Sequence, residues 1–268
     1  MTNNTACLIN VDAFEAAGVP IPSQDPEQTW TWQEFEAACK AITEKAGMKG
    51  FLLSSTAAGW DAWLFHGWLG TAGGTFLSPE GDPLFNGAEG VEAMTFLQGL
   101  VKNGYTAPLD KGWELALWYS KKAAITINGP WNFPDLQKFT DFKFTVVPFP
   151  RNKKPATNIG GNNLFVYNIH PESVEGALNY AEYMLSTDFQ VKFNLQSGNL
   201  PVTKSATERQ HACAHDARFR ERQHGHAQDF RTCSAKCECC LVVTARHLSE
   251  NFARKSADRK STRVNSSH

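Results

Sequence analysis

The chain has 268 residues, a formal net charge of −1 and 42% hydrophobic residues. This composition supports a folded core and excludes a disordered chain, and the near-neutral charge does not mark the whole protein as a nucleic-acid binder. No run approaches the roughly 20 apolar residues of a membrane helix, and the first five residues lack the basic and apolar segments of a secretory signal peptide.

The first predicted helix follows a capping box. Thr31 and Glu34 stand three residues apart, a spacing in which each side chain satisfies a free backbone N–H of the other residue. Trp30 and Phe35 occupy the two positions of a hydrophobic staple. The pattern therefore predicts a helix that begins at Thr31. The next predicted elements are one short buried strand and two glycine-ended helices, over 51–53, 60–71 and 89–102.

The second half of the chain continues to alternate between strands and helices. Residues 123–127 are apolar or β-branched throughout and predict a buried strand, which Asn128, Gly129 and Pro130 interrupt. Further strands and helices are predicted, in chain order, over 142–147, 164–167, 172–185 and 188–196. This alternation predicts an α/β fold with a partly parallel sheet and helices on its faces.

Residues 123–131, which read AAITINGPW, closely resemble the signature of sugar-type extracellular solute-binding proteins of ABC importers. Four more segments resemble parts of that family in the family's own order, and the similarity covers about residues 5–206. The four segments are 10–18, 29–35, 158–163 and 197–202.

The resemblance implies an α/β fold of the periplasmic-binding-protein type II, in which two lobes enclose a ligand. It implies a carbohydrate ligand, an ABC permease as partner, no cofactor and no catalysis. Another polar solute, such as a glycerophosphodiester, is an alternative ligand. The parent protein would be periplasmic or lipid-anchored outside the cell, with a signal segment that this chain lacks.

The chain departs from the family pattern in two ways. Lys121 stands where the family commonly has a glycine, in an αL-type turn before the signature strand. The chain also matches only part of the two-lobed family fold. We therefore expect an N-terminally truncated protein that contains one largely complete lobe and part of the other. Lobe two would cover 1–148, and 149–206 would return toward lobe one. We expect such a fragment to bind ligand weakly or not at all and to expose an apolar sheet edge.

A sugar presents an apolar C–H face and a rim of hydroxyls, so its site needs a flat aromatic surface and a few polar groups. Trp131 ends the loop after strand 123–127, where ligand sites of open α/β sheets lie. The resemblance implies that Trp131 stacks on the sugar. The alternative is a core residue that anchors the loop.

The predicted helix over 60–71 supplies further candidates. The resemblance places an aromatic residue near Trp63 and a carboxylate near Asp61 at the ligand, and Trp60 shares a helical face with Trp63. Alternatively, the tryptophans pack in the core and Asp61 interacts with the helix dipole. His66 is interpreted as a packed helix residue.

The segment that resembles the returning strand supplies the remaining candidates. Gly160 and Gly161 permit close approach of the backbone to a ligand, and Asn162 or Asn163 could bind hydroxyls. The alternative is a β-bulge. No P-loop, H-E-x-x-H motif or nucleophile elbow is present, so an enzyme is disfavoured.

Residues 205–268 differ sharply in composition from the rest of the chain. They hold 9 of the 10 Arg and 5 of the 7 Cys, and their net charge is +5 against −6 for residues 1–204. A zinc site is one interpretation, although the cysteine spacing is poor for one, and a nucleic-acid-binding arm is another. We favour a third interpretation. Residues 207–268 would be a non-native, disordered tail, translated out of frame from a metagenomic fragment and ending in a sequence that resembles a sequencing adapter.

Overall fold

The computed structural model describes residues 2–53, 60–107 and 114–210. Its strands are β1 Thr2–Asn4, β2 Ala6–Asn10, β3 Lys49–Leu52, β4 Ala123–Asn128, β5 Phe144–Val147 and β6 Ile159–Gly161. Its helices are α1 Val11–Ala17, α2 Trp32–Lys45, α3 Trp60–Thr71, α4 Ala88–Lys102, α5 Glu114–Tyr119, α6 Phe133–Phe139, α7 Pro171–Leu185 and α8 Thr187–Ser197. Residues 204–210 are also helical.

A four-stranded mixed sheet has the order β3-β4-β2-β5. β3 runs parallel to β4, and β2 pairs antiparallel with both β4 and β5. All six residues of β4 are buried, because this strand lies inside the sheet and both of its faces are covered. The predicted buried strand and the partly parallel α/β sheet are therefore confirmed. A second sheet pairs β1 with β6.

Helix α2 begins as the capping box predicts. The Glu34 backbone N–H donates to Thr31 Oγ1 at 3.2 Å, and the Thr31 N–H donates to Glu34 Oε2 at 2.7 Å. The rings of Trp30 and Phe35 meet edge to face with centroids 5.2 Å apart, as expected for the staple. This entry turns the apolar face of α2 toward the sheet, where Ile42 and Phe35 are fully buried.

Helix α3 covers the predicted range and contains, among its described side chains, one buried and one half-buried tryptophan. Trp68 is buried, and its ring centroid lies 5.6 Å from that of Phe35 and 4.8 Å from that of Phe149. Leu64 is buried on the same side. Trp63 is only half-buried. The alternative in which a tryptophan of this helix packs in the core therefore holds for Trp68.

The described chain divides into two compact units. The larger unit, Asn3–Gly160, holds the four-stranded sheet and its core. The smaller unit contains residues 161–210 of the described chain together with Thr2, which forms an isolated bridge with Leu200. The predicted division at residues 148 and 206 stays a prediction. The tail interpretations from residue 211 on lie outside the described residues.

The predicted strand over 164–167 is wrong. These residues make no strand, and the side chains of Phe165 and Tyr167 are 71% and 73% exposed. The apolar run indicated a buried strand, but no segment in the described part of the chain pairs with it. Helix α7 follows without a single buried residue.

Candidate functional site

The loop after β4 is built on the carboxamide of Asn128, the last residue of the strand. Its Oδ1 accepts from the Gly129 backbone N–H at 2.8 Å and also from Asn132 Nδ2. These two bonds hold a short 3-10 turn, Pro130–Asn132, directly at the end of the central strand. Trp131, in the middle of this turn, is half-buried.

Trp131 lies beside Trp63 of α3. The two ring centroids are 6.0 Å apart and the ring planes are inclined at 52°. Edge-on and tilted arrangements in this distance range are favourable for aromatic pairs. The fold thus brings together two predicted site residues that are far apart in the sequence, and they form a half-exposed aromatic pair.

Gly160 of β6 lies directly against the Trp63 ring of this pair. A β-carbon at Gly160 would lie 2.8 Å from Cζ2 of Trp63 and 2.5 Å from Oδ1 of Asn3. Any larger residue would therefore displace the indole or the carboxamide. Because glycine is present, the backbone of β6 passes directly against Trp63.

The other predicted site residues are placed as follows. Gly161 has φ 147, a conformation essentially restricted to glycine, and belongs to the smaller unit. Asn162 and Asn163 follow it there and are exposed. Trp60 and Asp61 form the first turn of α3, but their side chains lie outside the described residues.

Two basic side chains of the larger unit are engaged with neighbouring groups. Arg151 is the only arginine before residue 205, and its Nε donates to the Thr29 carbonyl at 3.0 Å. Lys153 binds Glu92 at 2.7 Å, which lowers the pKa of that carboxyl. Among the described residues, no cluster of three or more His, Cys, Asp and Glu side chains could hold a metal ion.

Sequence reasoning missed the residues that support the aromatic pair. Asn128 and Gly129 were recognised only as the end of a strand, and Asn3 and Asn132 were not singled out. An amide residue at the end of a buried strand, immediately before Gly-Pro-Trp, is the signal that could have identified Asn128. Asn3 had no such signal, because its position beside Gly160 depends on the pairing of β1 with β6.

Comparison with known proteins gives a consistent family match. A family model described as bacterial extracellular solute-binding protein matches residues 1–219. The sn-glycerol-3-phosphate-binding periplasmic protein UgpB of Yersinia pestis is 25% identical over 214 residues, with 74% of this chain and 47% of that protein covered. The chain thus spans about half the length of the curated relatives it matches.

Solved structures agree with this fold. A cyclic maltosyl-maltose binding protein from Arthrobacter globiformis matches with 26% identity and a TM-score of 0.64, over 75% of this chain and 51% of that one. UgpB from Mycobacterium tuberculosis, solved with glycerophosphocholine, matches with 20% identity and a TM-score of 0.68, over 85% and 59% of the two chains. The predicted periplasmic-binding-protein architecture is therefore confirmed. Among the described residues, no helix has the length and apolar character needed to cross a membrane.

Proposed function

The chain belongs to the bacterial extracellular solute-binding proteins, and from this premise we propose that its parent captures a sugar or oligosaccharide for an ABC importer. The protein would carry out no chemistry. It would bind its ligand outside the cytoplasm, either in the periplasm or from a lipid anchor, and present it to the permease subunits. Closure of two lobes around the ligand would give the permease a recognisable bound state.

The observation that carries this proposal is the pair of Trp63 and Trp131. Their half-exposed rings lie 6.0 Å apart at the end of the central strand. Flat aromatic surface of this kind suits the C–H face of a sugar ring, which has no charge to pair. Its location beyond a strand end also matches the usual site of ligands in open α/β sheets.

Carboxamide groups lie in the two segments that adjoin the aromatic pair. Asn132 and Asn128 lie in the loop that holds Trp131, and Asn3 lies beside Gly160 next to Trp63. A carboxamide donates and accepts hydrogen bonds, and a sugar hydroxyl does the same. The polar groups near the tryptophans are therefore suited to a neutral, hydroxyl-rich ligand.

A glycerophosphodiester is the second candidate, because the curated relatives are glycerol-3-phosphate-binding proteins. A phosphate group is usually bound by arginine or lysine. Arg151, the only arginine before residue 205, is engaged with the Thr29 carbonyl. We therefore rank the neutral sugar first.

The test is a titration of the full 268-residue chain with maltotriose and, separately, with glycerophosphocholine. Both ligands are used at millimolar concentration, because the chain spans half of its relatives' length and weak binding is expected. We expect maltotriose to bind and Trp131→Ala to weaken that binding at least tenfold, about 1.4 kcal/mol. Phe139→Ala is the matched control, since that ring is 60% exposed on the neighbouring helix α6.

Each outcome decides between the candidates. Binding of glycerophosphocholine alone would replace the sugar by the second candidate. Binding of maltotriose that Trp131→Ala leaves unchanged would remove the aromatic pair from the site. Binding of neither ligand at millimolar concentration would contradict the expectation that the Trp63–Trp131 pair is enough for this chain to bind sugar weakly.

A further inference from the structure

We infer that Asn158 is a positioning residue for the aromatic pair: its buried carboxamide fixes the segment 156–160, and this segment sets the place of the Trp63 ring. The inference rests on the proposed function, because the segment forms a wall beside one of the two rings. Asn158 is 5% exposed and belongs neither to α3 nor to the loop after β4. It would therefore act on the ligand only through Trp63.

The segment 156–160 runs along one face of α3. A β-carbon at Gly67 would lie 3.1 Å from Oδ1 of Asn158, and one at Gly160 would lie 2.8 Å from Cζ2 of Trp63. Trp63 and Gly67 are four residues apart and share a face of the helix. Asn158 and Gly160 are two residues apart, the spacing at which an extended segment turns the same side toward a neighbour.

A second glycine of α3 extends this contact by almost one turn. A β-carbon at Gly70 would lie 3.1 Å from Cβ of Ala156, again two residues along the segment from Asn158. The glycines of α3 thus let the segment approach the helix closely. Because the two elements pack without intervening side chains at these points, a shift of the segment changes the wall against which Trp63 lies.

Hydrogen bonds anchor Asn158 to the residue that precedes β2. Thr5 Oγ1 donates to Asn158 Oδ1 at 2.5 Å, and the Thr5 backbone N–H donates to the Asn158 carbonyl at 3.3 Å. Thr157 Oγ1 donates in return to the Thr5 carbonyl at 2.7 Å. The next residue, Ala6, pairs with Asn128 in the sheet.

This anchor ties both aromatic rings to the same end of the sheet. The loop that holds Trp131 begins after Asn128, and the segment beside Trp63 is held at Thr5. Nδ2 of Asn158 has no hydrogen-bond partner within the described part of the chain, so the anchoring by this side chain depends on Oδ1. A side chain of similar volume without that acceptor would release the segment and leave the Thr5 hydroxyl unpaired.

The test is fluorine NMR on the full chain labelled with fluorotryptophan, together with a titration with maltotriose. The Trp63 resonance is assigned by its loss in Trp63→Phe. We expect Asn158→Leu to shift this resonance and to raise the dissociation constant for maltotriose about fivefold, as expected for one lost hydrogen bond. The fluorine spectrum reports the surroundings of the ring and needs no ligand.

Asn10→Leu is the matched control. Asn10 is also buried, and its Oδ1 also accepts one hydrogen bond, from the Ala13 N–H at 3.0 Å, but it lies at the opposite end of β2. Urea denaturation should show a similar loss of stability in the two variants. The control should leave both the Trp63 resonance and the maltotriose affinity unchanged.

The pair Thr5→Val and Thr5→Ser repeats the test from the donor side. Valine has the shape of threonine without the hydroxyl, so we expect the same shift of the Trp63 resonance as in Asn158→Leu. Serine keeps the hydroxyl and should keep the original spectrum. This pair decides the question if Asn158→Leu does not fold.

The outcomes separate this inference from the proposed function. A Trp63 resonance that is unchanged in folded Asn158→Leu, or that shifts equally in Thr5→Val and Thr5→Ser, would overturn the positioning role. A shift of the same size in Asn10→Leu would also overturn it, because the effect would then follow from lost stability alone. Absence of maltotriose binding to the unsubstituted chain would count against the sugar site, and the fluorine spectra would still decide whether Asn158 positions Trp63.

Discussion

Trp131 lies so close to the backbone of Gly129 that a β-carbon at Gly129 would overlap three atoms of the indole. The backbone of Gly129 has φ −125, which any residue can adopt. Glycine is therefore required here for space alone. The indole lies against the backbone of Gly129 and pairs with Trp63.

Gly129→Ala is expected to displace the indole and to separate the aromatic pair. We expect sugar affinity to fall at least tenfold and the free energy of unfolding to fall by about 1–3 kcal/mol, as for other overpacked sites. Calorimetry measures the first effect and urea denaturation the second. Tryptophan fluorescence is a suitable probe of unfolding of this part of the chain, because all 8 Trp precede residue 160 in the sequence.

Gly99→Ala is the matched control for this substitution. Gly99 lies inside α4, and a β-carbon there has no heavy atom within 4 Å. Alanine should leave sugar affinity unchanged and stabilise the chain by about 0.5–1 kcal/mol. Equal loss of affinity in both variants would contradict the role assigned to Gly129.

Lys121 has φ 57, which is the left-handed conformation of the turn before β4. Its Nζ pairs with Asp141 at 2.9 Å on the surface. Lys121→Ala and Lys121→Gly both remove this pair, but only glycine relieves the cost of the left-handed backbone. We expect the glycine variant to be more stable than the alanine variant by about 1 kcal/mol. Urea denaturation of the two variants measures the difference, and a more stable alanine variant would show that the turn has relaxed.

Local signals accounted for much of the fold. The position of Lys121 in a left-handed turn was predicted from a motif, and α2 from Thr31 and Glu34, since caps and turns depend on neighbouring residues. The strand over 164–167 failed because a strand needs a partner, and the sequence of one segment does not show its partner. At the site, Trp63 and Trp131 were predicted separately, whereas their contact depends on the tertiary packing of α3 beside the end of β4.

Glu34 makes the stability of the larger unit depend on pH. The backbone N–H and the hydroxyl of Thr31 bind its carboxylate and lower its pKa in the folded chain. A lowered folded pKa contributes stability above the unfolded pKa of about 4.3, and this contribution is lost as pH falls through the folded value. Glu34→Gln keeps the capping geometry without the charge.

We therefore expect Glu34→Gln to be less stable than the original chain at pH 7 and nearly equal to it near pH 3. The difference at pH 7 should stay below about 1 kcal/mol, because the carboxylate is exposed and solvent screens its charge. Urea denaturation at the two pH values measures it. Lys138→Gln is a surface-charge control, since its pair with Asp135 is exposed. A stability difference for Glu34→Gln that did not change with pH would contradict the charge-dependent cap.

The exposed apolar residues after β6 should make the chain self-associate. Phe165, Tyr167 and Ile169 are each more than 70% exposed within five residues of chain. Apolar side chains gathered in this way on a protein surface favour association, because burial removes their surface from water. We expect the double variant Phe165→Ser, Ile169→Ser to reduce light scattering at high concentration at least twofold. Burial of apolar surface contributes about 25 cal/mol per Å² to association, and the double variant removes that contribution at these two side chains. Leu84→Ser, at a 46% exposed position of the larger unit, is the control and should change scattering little. Equal effects of the double variant and the Leu84→Ser control would mean that association depends on total surface hydrophobicity and has no preferred site in this segment.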